Sequence, residues 1–287
     1  MKKKRVKNIY KNYVNREEKK VIKSDFSKAL IIAGSKNYPF AGLLAMKGTK
    51  LFSPGYLALT KASFNSFAYL AHCFLDCVFI SVGDDKTSYL IDDSFQTILK
   101  YDSILFGNGV EESESNLKFL DKLIKEFQGI LIIDATGIRL LKRIEKSTLL
   151  SKRCTIIITP HMKEAQDLFS SSLKTRDVSS YLTDAVNYSK KYDIYCILKS
   201  YDTLLVHKDK YVFERYDTPS LAKAGSGDFF AGMLLGSISN HQRIPLSLFD
   251  CINFTDNLFH MTASLLQKKK NIRLIDYNDL YEQIKNM

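Results

Sequence analysis

The sequence is short of several things, and each shortage removes a class of protein. Its longest apolar stretch, Phe67 to Val82, is interrupted by His72 and Asp76 and falls short of the roughly 20 clean apolar residues that a membrane helix needs. No membrane span is expected. Lys2 to Lys4 open the chain, but no apolar run or small-residue cleavage site follows them, so no signal peptide is predicted and the chain is expected in the cytoplasm. The five cysteines, Cys73, Cys77, Cys154, Cys196 and Cys251, lack the paired spacing of a zinc site or redox motif. Three of them lie in or beside apolar runs, which points to buried thiols. No repeat or low-complexity linker divides the chain. Glycine is scarce, 13 in 287 residues against an average of about 7%.

What is present matches a folded α/β protein. The hydrophobic fraction of 45% and the charged fraction of 25% are those of an ordinary soluble domain. A chain of this length can bury a large core as one domain. The formal charge is +11, and most of the excess lies early, since residues 1–28 hold eleven Lys/Arg against three acids. A basic arm can bind nucleic acid, but this one offers only Tyr10 and Tyr13 for base stacking. Residues 1–14 are therefore expected to be a solvated basic extension and residues 15–287 a single domain, with nucleic acid not expected as a partner.

Lys28 to Gly34 is a short continuous apolar run closed by Gly-Ser, the pattern of a buried parallel strand. A helix is predicted from Phe40 to Leu51, ended by Pro54-Gly55. The segment that follows is ambiguous. Further strands are predicted at Cys77 to Val82, Ser103 to Phe106, Gly129 to Ile133, Thr155 to Ile158 and Tyr195 to Leu198, alternating with helical periodicity. Asn116 to Phe127 repeats apolar residues at Leu117, Leu120, Leu123, Ile124 and Phe127, one face of a helix. Hairpin strands at Thr203 to Val206 and Lys210 to Phe213 follow, then helices from about Gly227, Leu246 and Asn278. This order predicts an open, mostly parallel sheet with helices on both faces, whose ligands bind beyond the carboxyl ends of the strands. The polar groups found there are Gly34-Ser35, Gly107-Asn108-Gly109, Asp134-Ala135-Thr136, Thr159-Pro160-His161 and Lys199-Ser200.

The strongest local signal is Ala224-Gly225-Ser226-Gly227-Asp228 before a small, apolar helix. Glycines let a backbone approach a ligand closely, and a helix start aims free N–H groups and a positive dipole end at an anion such as phosphate. Asp228 beside that site could accept a proton from a substrate hydroxyl. The same residues also suit a tight turn with an acid that complements the helix dipole. His161 likewise suits either a ligand contact or a helix cap. Lys199 could be a solvated strand end, and Asp134 and Glu164 helix-start charges.

From about residue 15 onward the chain resembles the ADP/ATP-dependent NAD(P)H-hydrate dehydratases, a branch of the ribokinase-like α/β fold. Lys23-Ser-Asp-Phe-Ser27, Ala29 to Ser35 and Tyr38-Pro-Phe-Ala41 are similar to that family's Lys-Gly-x-x-Gly, apolar strand with Gly-Ser, and Tyr-x-Gly-Ala. Ile133-Asp-Ala135 follows, then Thr159-Pro-His-Met-Lys-Glu164 for Thr-Pro-His-x-x-Glu, Leu198-Lys-Ser-Tyr-Asp-Thr203 for Leu-Lys-Gly-x-x-Thr, and the late Gly-x-Gly-Asp. The resemblance implies that Ala41, Gly109, His161 and Asp228 contact the hydrated dinucleotide, with Asp228 as catalytic base. It implies that Lys199, Ser200, Tyr201, Asp202 and Thr203, with Gly225, Ser226 and Gly227, hold the adenine nucleotide and its phosphates. ADP or ATP as phosphoryl donor, Mg²⁺ and a homo-oligomer come with it. Its metal ligands are not identified by the motifs.

Departures cluster on the substrate side. Gly-Pro-Gly-Leu-Gly stands here as Gly107-Asn-Gly-Val-Glu111, which puts a carboxylate near the expected dinucleotide phosphates, and Phe40 and Ser200 replace glycines. A hydroxyl kinase of the same fold and a nucleotide-binding relative without catalysis stay open beside the dehydratase.

Overall fold

The structure is a computed structural model that describes residues 3–14, 26–52, 54–61, 77–81, 95–240 and 245–287. Cys73, most of the Phe67 to Val82 stretch and Lys23 to Asp25 lie outside the described residues.

The chain alternates strands and helices. In order these are α1 (Lys3–Val14), β1 (Lys28–Ile32), α2 (Ala41–Lys50), β2 (Tyr56–Lys61), β3 (Val78–Ser81), α3 (Phe95–Ile98), β4 (Ser103–Phe106) and α4 (Glu114–Glu126). Then come β5 (Ile130–Ile133), α5 (Thr136–Arg143), α6 (Lys146–Leu150), β6 (Thr155–Ile158), α7 (Met162–Phe169), α8 (Leu182–Tyr192) and β7 (Ile194–Lys199). The hairpin β8 (Asp202–His207) and β9 (Lys210–Arg215) precedes α9 (Ser226–Ser239), α10 (Leu248–Gln267) and α11 (Tyr277–Lys285).

Among the described residues the strands form one nine-stranded sheet in the order β3-β2-β1-β4-β5-β6-β7-β8-β9. Strands β1 to β7 pair in parallel, while β8 and β9 close the edge antiparallel. Alternation along each strand feeds two cores. Leu30 and Ile32 pack with Ile104, Leu120 and Ile124 on one face, and Ala29 and Ile31 pack with α9 and α10 on the other. Both strand faces are buried, which is why the sequence shows continuous apolar runs rather than alternation.

Helix α4 shows how the sequence writes its own boundaries. Ser113 caps it by accepting from the Asn116 amide at 3.2 Å, and its apolar stripe faces the sheet. Helices α2 and α9 approach too closely for side chains between them. A Cβ on Gly232 would collide with the Ala45 backbone, and Thr49 Oγ1 donates to the Gly232 carbonyl at 3.0 Å.

One expectation fails. Residues 3–14 are not a solvated arm, because Val6 and Tyr10 are buried, Tyr10 Oη donates to the Leu51 carbonyl at 3.1 Å, and its ring packs edge-on to Phe52. Val6 and Tyr10, one helical turn apart, with Ile9 beside them, dock a helix otherwise rich in lysine. Cys154, Cys196 and Cys251 are buried and Cys77 is half-buried. Burial pushes the Cys154 thiol up to about 12. No helix among the described residues is long and apolar enough to cross a membrane.

Candidate active site

The order of the sheet reverses at β1, whose neighbours are β2 and β4, and this switch point opens a crevice beyond the strand ends. The Gly34 amide, after β1, donates to the Asn108 carbonyl, after β4, at 2.8 Å. Helix α9 starts above these ends. Gly225 takes φ +86, a left-handed turn natural to glycine, and so delivers Ser226, Gly227 and Asp228 as a first helical turn whose amides have no intrahelical acceptor.

Beneath that turn lies a buried polar cluster. Asp134, at the end of β5, receives Lys199 Nζ at 2.8 Å, Thr159 Oγ1 at 2.6 Å and Asn108 Nδ2 at 2.9 Å. Burial alone would raise this carboxyl, but the Lys199 ammonium and the three hydrogen bonds outweigh it, and Asp134 is held below the usual range. Ala135 follows at φ 49, a strained conformation for a residue other than glycine, of the kind that gathers at functional sites. A Cβ added to Gly227 would lie 3.7 Å from Lys199 Nζ, so the turn sits directly over the pair.

Asp228 Oδ1 accepts from Asn108 Nδ2 at 2.7 Å, and Oδ2 accepts no hydrogen bond from the described residues. Burial pushes Asp228 up to about 6, opposed by the Asn108 hydrogen bond and reinforced by the Asp134 charge. A carboxylate with this value is ionised at neutral pH yet basic enough to take a hydroxyl proton.

Beside the turn is a cavity of about 600 Å³ lined in part by Lys199, Ser200, Tyr201, Thr203, Ser226 and Gly227. Phe230, Phe259 and Pro219 give it apolar walls, as a flat ring system requires. Its floor was not anticipated from sequence. Asp256 accepts from Thr203 Oγ1 at 3.2 Å and from Tyr216 Oη at 2.7 Å, while His260 stacks on Tyr216 with ring centroids 3.8 Å apart. Burial raises Asp256 to about 7 and lowers His260 to about 3. The available signal was Asp256 and His260 one turn apart in α10.

The other expected residues divide. Ala41 and Gly109 meet across the β1 and β4 ends, since a Cβ on Gly109 would lie 2.9 Å from that of Ala41. His161 caps α7, its Nδ1 accepting from the Lys163 and Glu164 amides at 3.2 and 3.3 Å, while its side chain stays 57% exposed at the cavity edge. Capping and ligand contact are thus compatible. Asp202 is not among the cavity-lining residues. Its Oδ1 accepts from the Tyr216 amide at 3.2 Å within the β8–β9 edge. Gly225 shapes the turn rather than lining the cavity, and a Cβ there would meet Leu44 and Tyr277.

A second hollow of about 650 Å³ lies on the other side of His161 and Glu164, between α5 and α7. Arg139, Lys142, Arg143 and Lys163 line it together with Glu112, Glu164 and Asp167, so its wall carries both signs of charge. Arg139 is tied to Glu112 at 3.0 Å, whereas Lys142 and Lys163 have no carboxylate partner among the described residues. Glu111, the carboxylate expected to repel an anion, is not among the lining residues of this hollow, but its neighbour Glu112 is.

The parallel sheet, the glycine turn on a helix start and an aspartate over a buried Lys–Asp pair define a ribokinase-like α/β protein. A ribokinase-like superfamily protein from Enterococcus faecalis superposes with TM-score 0.79 at 17% identity, over 98% of this chain and 93% of its own. The chain belongs to the NAD(P)H-hydrate dehydratase family, whose model matches residues 29–286. The ADP-dependent (S)-NAD(P)H-hydrate dehydratase of Staphylococcus aureus is 25% identical over 77% of this chain and 76% of its own length. The ADP/ATP-dependent NAD(P)H-hydrate dehydratase of Bacillus subtilis, co-crystallised with ATP and Mg²⁺, superposes with TM-score 0.78 at 19% identity, over 99% and 95% of the two chains. The bifunctional NAD(P)H-hydrate repair enzyme of Thermofilum pendens is 26% identical over 74% of this chain, which spans 41% of that relative's length.

Proposed function

We propose that this chain is an ADP- or ATP-dependent (S)-NAD(P)H-hydrate dehydratase that repairs hydrated NAD(P)H in the cytoplasm. The observation that carries this reading is Asp228, one carboxylate oxygen anchored and the other open, at the first turn of a helix whose amides can receive phosphate.

In this reading the adenylate of the donor occupies the cavity beside Ser200, Tyr201 and Thr203, with its phosphates at Ser226 and Gly227. Asp228 takes the proton of the C6 hydroxyl as that oxygen attacks the terminal phosphorus, and the bond from phosphorus to the departing nucleotide breaks. The C6–O bond then breaks with electron push from the ring nitrogen. Phosphate leaves, and loss of a proton from the adjacent ring carbon restores the double bond of intact NAD(P)H. The Gly227 and Asp228 amides of the α9 turn stabilise charge on the transferring phosphoryl. Ala41, Gly109 and His161 border the hydrated ring, and Lys142 and Lys163 in the hollow between α5 and α7 receive the dinucleotide phosphates.

Mg²⁺ needs few protein ligands when phosphates bring it. The donor set fits that mode and not a protein cage, since the described residues hold no group of three or more His, Cys, Asp or Glu placed for a metal, and Asp134 already accepts from Lys199, Thr159 and Asn108. When bound with the donor, the ion would supply charge neutralisation on the phosphates.

Product analysis separates this from a hydroxyl kinase. The dehydratase releases one inorganic phosphate for each reduced nicotinamide regenerated. A stable phosphorylated product would replace the reading by a kinase, and donor binding without turnover would replace it by a silent relative.

A further inference from the structure

Asn108 is fully buried at the end of β4, and its main chain is fixed by the Gly34 amide. Its carboxamide nitrogen gives its two protons to two different carboxylates, Asp134 Oδ2 at 2.9 Å and Asp228 Oδ1 at 2.7 Å. Asp134 is immobilised in turn by Lys199 and Thr159. The first turn of α9 is therefore tied through one side chain to the ends of β4, β5, β6 and β7.

The same carboxamide leaves Oδ1 buried without a hydrogen-bond partner. An unpaired buried acceptor carries a desolvation cost that an apolar side chain would not. What explains the residue is its two donors.

We propose that Asn108 is a positioning residue for hydroxyl activation: it fixes Asp228 to the Asp134–Lys199 pair through Oδ1 and leaves Oδ2 for the substrate proton. The inference rests on the function proposed above. The groups that face Asp228 are Asn108 from β4, Asp134 from β5, Lys199 from β7 and Tyr277 at the start of α11. The Asn108 hydrogen bond favours the ionised form of Asp228, so its loss raises the pH at which the base becomes free.

The test uses Asn108→Ala and Asn108→Ser in the full chain, with steady-state kinetics across pH. The expected result is a kcat lower by about a hundredfold in Asn108→Ala with KM for both substrates nearly unchanged. The acid limb of the profile moves above that of the parent, and Asn108→Ser, which keeps one donor, recovers part of both. Should the alanine variant fail to fold, the serine variant is judged on the same criteria. A kcat and an acid limb equal to the parent's would overturn the proposal. Titration of the Asp228 carboxyl by ¹³C NMR, assigned with Asp228→Asn, needs no turnover. An unmoved titration in Asn108→Ala sinks the role of Asn108 alone, while a moved titration in a protein without hydrate turnover sinks only the assigned reaction.

Discussion

Lys199 Nζ and Asp134 Oδ1 form a 2.8 Å ion pair in which the carboxylate side chain is 4% exposed and the lysine 22%. The lysine that the family motif would give to the donor nucleotide is also the partner of a buried acid. Its removal leaves Asp134 charged and uncompensated. Lys199→Met is expected to lower stability by about 3 kcal/mol, read from denaturant unfolding at neutral pH. An unchanged midpoint would mean that the pair contributes nothing to the fold.

The pH profile follows from Asp228. Its carboxyl sits at about 6, raised chiefly by burial. The base works only when ionised, so kcat/KM is expected to be flat above that value and to fall about tenfold per pH unit below it. An acid limb near the ordinary carboxylate range would show that Asp228 is solvated in the working enzyme.

The same shift has a stability consequence of definite sign. Asp228 ordinarily titrates at 3.8 and here at about 6, so the folded chain holds this proton more tightly than the unfolded one. The ionised carboxylate therefore weakens the fold above about pH 6, and that loss disappears as pH falls towards the ordinary value. Asp228→Asn is expected to be more stable than the parent by about 1–2 kcal/mol at alkaline pH. The gap should close on acidification. Equal stability at every pH would contradict the burial of the charge.

The hollow between α5 and α7 makes a separate prediction. Lys142 and Lys163 are exposed at its walls and lack carboxylate partners among the described residues. Lys142→Glu with Lys163→Glu should raise KM for the hydrated dinucleotide by about tenfold and leave the KM of the donor unchanged. Loss with the 2′-phosphorylated dinucleotide alone would place that phosphate there, and loss with both forms would place the pyrophosphate. No change with either would put the dinucleotide elsewhere.

The parts of the fold that were readable in the sequence are those governed by local chemistry. Ser103–Phe106 and Thr155–Ile158 are apolar runs bounded by polar residues, and the structure reproduces both. Strand β2, Tyr56–Lys61, is a short apolar run after Pro54-Gly55 that sequence reading leaves unassigned, and its place comes from pairing with β1. Gly225 to Asp228 announced the turn because glycine and a helix start are local signals. The partners of Asp134 were hidden because Lys199 lies 65 residues away and Asn108 lies 26 away, and only the parallel register brings their strand ends together. Tyr216, Asp256 and His260 were missed for the same reason, since a buried acid has meaning only through groups folded against it.

The most direct measurement mixes the purified chain with hydrated NADH, Mg²⁺ and either ADP or ATP, and follows the return of reduced-nicotinamide absorbance beside Asp228→Asn. A donor-dependent rise that the variant loses by about a hundredfold or more, while still binding nucleotide, is the predicted result. No rise with either donor in a protein that binds adenine nucleotide would contradict the dehydratase assignment.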